Sequence, residues 1–174
     1  WSEHYPLGQV LFFRGFFGVI LYFFIMPRER KKFLKTKRAG LHFLRCLSGL
    51  IALVAIFIAL RSLPLATVVS ISFAAPIFTT ILSIFLLKEK VGIFRWLAVL
   101  IGFIGILVIT EPGISSLNIY YIFPIIFCLG LSYVAIAIRQ LSTTEPVWLI
   151  SLNFSAAITL ASFFTIPYGW IMPD

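Results

Sequence analysis

The sequence has 174 residues, 61% hydrophobic and 11% charged, with mean hydropathy +1.08 and a formal charge of +8. Soluble domains run roughly 45–50% apolar and about 25% charged, so this composition excludes an ordinary water-soluble globule. It argues against a nucleic-acid surface as well, because eight of the fourteen basic residues crowd between Arg28 and Arg45 while long apolar runs fill the rest. Such a pattern fits a basic loop between membrane spans.

Taken in chain order, charges and prolines divide the apolar stretches into six predicted spanning helices: Leu7–Met26, Leu41–Leu63, Leu65–Leu87, Trp96–Thr110, Ile119–Ile138 and Val147–Ile166. The clearest is the third. From Ser62 to Leu87 no residue is charged, and Lys88-Glu89-Lys90 then ends the run. A helix rising about 1.5 Å per residue needs about 20 such residues to cross roughly 30 Å of hydrocarbon. Pro64 follows the second span directly and can begin the third, so these two are expected to form a tight antiparallel hairpin.

The excess of Lys and Arg sets the expected orientation. With the 27–40 loop in the cytoplasm, alternation brings Lys88, Lys90, Arg95 and Arg139 to the same side and leaves Arg61 on the other. The chain starts at Trp1 rather than Met and ends at Asp174 just after a span, which reads as a fragment whose two ends both face the exterior. Cys46 and Cys128 lie within spans, where a thiol behaves as a small hydrophobe.

In the first span Arg14 sits seven residues in, roughly 11 Å along the helix. A central arginine costs at least about 2.5–3.5 kcal/mol on insertion scales, so it needs a partner or a wet cavity. Two readings stand side by side: a guanidinium that meets an anionic group of a substrate, or one that snorkels or contacts helix ends. The third span carries Ser72, Pro76, Thr79, Thr80 and Ser83 on one helical face, with Pro76 expected to kink the helix, and the face either lines a path or packs closely. Ser151, Ser155, Thr159 and Ser162 repeat the spacing in the last span. Ser48, Ala52, Ala55 and Ala59 in the second span and Ala98, Gly102 and Gly105 in the fourth make smooth faces suited to helix packing. Tyr133 in the fifth span is a further cavity candidate, joining an aromatic face to a hydroxyl donor.

Pro6 and Pro27 bracket the first span as Pro146 and Pro167 bracket the last, five helices later. An odd number of helices per repeat inverts the second copy, and inverted repeats are a usual construction of secondary transporters.

Between Arg45 and Pro112 the sequence runs Ala59-Leu60-Arg61-Ser62-Leu63-Pro64-Leu65-Ala66, then Ser72-Phe73-Ala74-Ala75-Pro76-Ile77-Phe78-Thr79. Glu89 and Arg95-Trp96 follow, and then Gly102-Phe103-Ile104-Gly105-Ile106-Leu107-Val108. This stretch closely resembles the EamA-type family of the drug/metabolite transporter superfamily, and Arg14 matches an arginine common in that family's second helix. One departure is Lys88, which stands where the family usually has glycine before the loop glutamate. The resemblance implies an all-α polytopic membrane protein built as an inverted repeat of five-helix units, ten helices in full length with six present here. Residues 1–111 are then a first EamA repeat lacking its first helix, and 112–174 the start of a second.

The function expected is a secondary transporter or exchanger for a small metabolite, an amino acid or a related compound such as S-adenosylmethionine, moved by alternating access. Arg14, Ser72, Pro76 and Tyr133 are the residues expected to bind substrate or gate its path. The alternative is a non-transporting membrane scaffold or receptor-like protein, which the inverted duplication disfavours. No enzyme constellation, cofactor motif or metal-ligand spacing is present in the sequence, so no enzyme activity, cofactor or metal is expected. The expected partners are the bilayer of a plasma membrane or bacterial inner membrane and a small-molecule substrate, with no nucleic acid. The small-residue faces leave two uses open, contact with missing helices or a homodimer.

Overall fold

The computed structural model describes residues 6–25, 36, 38–110, 119–165 and 170. Most of the basic loop, Pro27, Pro167 and the 111–118 connection, which contains the expected repeat boundary, lie outside the described residues. Among the described residues seven α-helices follow one another: α1 (Leu7–Ile25), α2 (Ala39–Ser62), α3 (Leu65–Ser72), α4 (Ala75–Leu87), α5 (Ile93–Thr110), α6 (Ile122–Leu141) and α7 (Val147–Phe163). A single 3₁₀ turn, Ile119–Tyr121, leads into α6, and there is no strand among the described residues. Ala39–Ser62, Leu65–Leu87 and Ile119–Leu141 are long and apolar enough to cross a membrane, while Leu7–Tyr22, Trp96–Gly105 and Val147–Phe163 are shorter apolar helices. Large apolar side chains such as Phe24, Phe94 and Ile101 stand in the open, as they do where lipid rather than water is the solvent.

The third predicted span is two helices, broken at Phe73-Ala74. Pro76 explains the position of the break. A proline removes the N–H that would reach the carbonyl four residues back, here that of Ser72, and its ring crowds that carbonyl. In the first turn of α4, by contrast, the missing N–H is no loss. Two small polar side chains one turn apart on α6 serve the interruption: the Cys128 thiol faces the carbonyls of Ile71 at 3.4 Å and Ser72 at 3.7 Å, and the Ser132 hydroxyl donates to the Ala75 carbonyl at 2.8 Å. Both residues are fully buried. Of these carbonyls, that of Ser72 is the one Pro76 leaves without its helical donor, and without water it needs a partner of this kind.

Lys88 ends α4 in the left-handed region, at φ 53° and ψ 33°, and among the described residues it is the one non-glycine residue with positive φ. That conformation is why glycine suits this turn, and a lysine there carries a conformational cost.

The chain packs as two compact units, Trp1–Leu47 with Ala137–Asp174, and Ser48–Ile136. In the first unit α1 lies along α7. Glycines allow that approach: a Cβ built on Gly15 would fall 2.9 Å from the Thr159 amide nitrogen and 3.0 Å from the Ser155 carbonyl oxygen, and one on Gly18 would fall 2.7 Å from the Ser155 hydroxyl. In the second unit Ala59, Leu63 and Val68 form a buried cluster with Ile56 and Phe123 against it. The smooth face of α2 meets α6 there, since a Cβ on Gly130 would come within 3.0 Å of both the Ala52 Cβ and the Ser48 carbonyl. α5 packs against α3 and α4.

Candidate functional site

The first unit holds a cavity of about 360 Å³ whose walls come from α1, α2 and α7. α1 supplies Arg14, Gly15, Gly18, Leu21 and Tyr22; α2 supplies Arg45; α7 supplies Ser151, Phe154, Ser155 and Ile158. The spacing of the α1 and α7 sets follows from helical periodicity, so each of these helices turns one stripe to the cavity, while α2 adds Arg45. Gly15 and Gly18 serve twice, bringing α1 against α7 and leaving the wall beside Arg14 free of side-chain bulk.

Two guanidiniums therefore share one small chamber. Arg14 is exposed, whereas Arg45 is 5% exposed. The Arg45 Cζ lies over the Phe154 ring, 4.1 Å from its centre, a cation–π contact. The Arg45 Nε and Nη1 are buried without a hydrogen-bond partner among the described residues. Among the described residues no acidic side chain lines the cavity. The remaining polar groups, the hydroxyls of Tyr22, Ser151 and Ser155, can donate or accept.

One turn before Arg45, His42 anchors a polar cluster. Its Nε2 pairs with Glu145 and its Nδ1 lies 3.3 Å from the Asn153 amide nitrogen. Thr36 donates its hydroxyl to the other Glu145 oxygen, and Arg38 reaches the Gln140 carbonyl at 3.1 Å. The His42 and Glu145 side chains are both 8% exposed. Burial alone would raise the Glu145 carboxyl, but the hydrogen bonds from Thr36 and His42 and the positive potential of His42 and Arg38 outweigh it and hold the carboxyl below its usual range. The cluster thus ties the start of α2 to the turn before α7 and to α7 itself, the two helices that bring Arg45 and Phe154 together.

The residues singled out in the sequence fall in different places. Arg14 lines the cavity. Ser72, Pro76 and Tyr133 belong to the second unit and are not among the lining residues. Ser72 turns its hydroxyl back to the Val68 carbonyl at 2.7 Å, Pro76 is exposed in the first turn of α4, and Tyr133 is half-buried beside Ser132. Thr79, Thr80 and Ser83 likewise donate to carbonyls of their own helix. On α5, Ala98 and Gly102 are exposed, and a Cβ on Gly102 or Gly105 would meet nothing within 4 Å among the described residues. Sequence reasoning missed Tyr22, Phe154 and, chemically most important, Arg45, counted there with the loop charges. For Arg45 the available signal was its position, the fifth residue of the predicted span Leu41–Leu63.

Three segments long and apolar enough to cross a membrane, with further apolar helices beside them, fit an integral membrane protein. The model of the EamA-like transporter family matches residues 2–111, and the chain belongs to that family. It is therefore an all-α, multi-pass membrane protein of the drug/metabolite transporter type, from a family of transporters rather than enzymes. It is 30% identical over 169 residues to the S-adenosylmethionine uptake transporter of Rickettsia prowazekii, covering 95% of this chain and 56% of that protein. It is 27% identical over 170 residues to the pseudopaline exporter CntI of Pseudomonas aeruginosa, covering 97% and 58%. A riboflavin transporter of Vibrio cholerae is 28% identical over 142 residues, 81% of this chain and 48% of that one. The chain thus spans about half the length of the curated relatives it matches. No solved structure matches.

Proposed function

We propose that this chain is part of a secondary transporter or exchanger that moves a small metabolite by alternating access, and that the cavity between α1, α2 and α7 takes the substrate. The observation that carries the reading is Arg14: a cation within an apolar helix, opening on a chamber that also holds hydroxyls and a second guanidinium. Intramembrane ionisable groups of this kind mark solute pathways. An amino acid or a related metabolite fits such a chamber, since its carboxylate can meet a guanidinium. The relatives are named for quite different solutes and for both uptake and export, so substrate and direction are properties of each chain rather than of the family.

On this reading Ser72, Pro76 and Tyr133 act at the break between α3 and α4, where the interrupted backbone is suited to gating. The two halves form an inverted repeat divided near residue 111, and the Lys/Arg bias sets the 27–40 loop in the cytoplasm. The open face of Ala98, Gly102 and Gly105 is a packing surface for another helix or a second copy.

The test is counterflow into proteoliposomes that hold the full-length protein, with labelled amino acids, S-adenosylmethionine, sugars and nucleotides each tried against internal unlabelled solute. Saturable exchange is expected for one class, and Arg14→Ala lowers it at least tenfold while thermal unfolding changes little. Exchange at wild-type level in that variant would remove Arg14 from the site, and no exchange of any class by folded, inserted protein would favour a scaffold.

A further inference from the structure

Arg45 is chemically incomplete. It is nine-tenths buried, lines the cavity, has the neutral Cys46 thiol as a neighbouring hydrogen-bond partner, and keeps two buried nitrogens, Nε and Nη1, without an acceptor among the described residues. Buried polar groups are almost always hydrogen-bonded, and an ionised one left unpaired is costlier than a neutral one. The acidic residues among those described are Glu89 and Glu145, and the second is committed to His42 and Thr36. Phe154 lies against the guanidinium, and the donors that remain for a ligand, on Nε and Nη1, suit the oxygens of a carboxylate or phosphate.

Charge decides the rest. Arg14 and Arg45 give the chamber two positive charges, and no acidic residue lines it among those described. In surroundings of low dielectric such a field repels a cation strongly and leaves an ammonium group with only hydroxyls and aromatic faces to meet. A solute whose anionic groups outnumber its cationic ones answers both guanidiniums. We infer that the cavity selects net-anionic metabolites, carrying carboxylate or phosphate groups, and that the buried Arg45 is the specificity-determining anchor with Arg14 as its outer partner. The inference rests on the cavity being the substrate site, and it separates anions from the zwitterions and cations that a single Arg14 would leave equally open.

The experiment uses full-length protein in detergent at fixed ionic strength. Thermal unfolding is followed against succinate, glutamate, glucose 6-phosphate and inorganic phosphate, with alanine as zwitterion and putrescine as cation. The expected result is saturable stabilisation by one or more of the anions and none by putrescine, with the affinity at least tenfold weaker in Arg45→Met and partly kept in Arg45→Lys. Carboxylate and phosphate preference is read from which anions bind. Arg45→Met also separates recognition from folding: replacing a buried charge that has no anionic partner among the described residues by an apolar side chain of similar length should leave the ligand-free protein at least as stable as wild type. Anion binding unchanged in Arg45→Met, binding of putrescine, or binding of none of the four anions overturns the assignment.

The same panel in counterflow keeps the two readings apart. Exchange of alanine or putrescine that Arg45→Met leaves at wild-type level overturns the anion assignment and leaves transport standing. Anion binding lost in Arg45→Met, by protein that exchanges nothing across a bilayer, keeps the assignment and overturns transport.

Discussion

The close approach of α1 and α7 makes Gly15→Ala the sharpest test of the packing that frames the cavity. The added Cβ would stand 2.5 Å from the Thr159 hydroxyl oxygen, 2.9 Å from the Thr159 amide nitrogen and 3.0 Å from the Ser155 carbonyl oxygen. Carbon atoms rest at about 3.5–4.0 Å from their neighbours, and the last two atoms are backbone, so no rotamer change relieves the contact. One helix must move away by roughly half an ångström or more. Overpacking of this kind costs about 1–3 kcal/mol, and the better helix propensity of alanine returns at most about 1 kcal/mol. A net loss of about 1–2 kcal/mol follows, a factor of roughly 5–30 in the folded-to-unfolded ratio. The assay is equilibrium unfolding of the full-length protein in mixed detergent micelles by circular dichroism, with Gly40→Ala as control because a Cβ there meets nothing within 4 Å among the described residues. Combining Gly15→Ala with Thr159→Ala should recover only part of the loss, since the backbone contacts persist. Gly15→Ala as stable as Gly40→Ala would refute the argument, because α1 could then not lie on α7 at the distance described.

Two further outcomes follow from single residues. Lys88→Gly should stabilise the protein by about 1 kcal/mol in the same assay, because a left-handed residue with a Cβ costs roughly 1–2 kcal/mol that glycine does not carry; a loss of stability would mean that the lysine side chain matters more than its backbone. For Glu145 the sign runs with acid: its carboxyl is lowered in the folded chain, so it contributes stability above its unfolded pKa of about 4.3 and loses it as pH falls through the folded value. The gap in unfolding temperature between wild type and Glu145→Gln should therefore be widest above the unfolded pKa and close as pH falls from there through the lower folded value. A gap that stays constant with pH would show that the carboxylate charge contributes nothing.

Much of this protein was legible along the chain because its solvent is a bilayer. An apolar run near 20 residues has few alternatives to a helix when every backbone polar group must be satisfied within the segment, so six apolar stretches predict the helices to within a few residues. Pro76 announced the interruption of the third stretch for the same reason, although the break itself falls at Phe73-Ala74, ahead of the ring. Arg14 stood out because a charge in such a stretch is expensive. Tertiary structure alone decided what each of these meets. Arg45 reads as one more loop charge until the fold sets it on Phe154, and His42 and Glu145, 103 positions apart, have no sequence signal that pairs them. The stripe of Ser151 and Ser155 was visible, but whether it packed or lined a cavity depended on which helix lay opposite, and α1 with its glycines answers both ways at once. Hydrophobic run length is a local property and fixes helices; counter-charges and cavity walls are set by contacts between distant segments, and these exist only once the helices have packed.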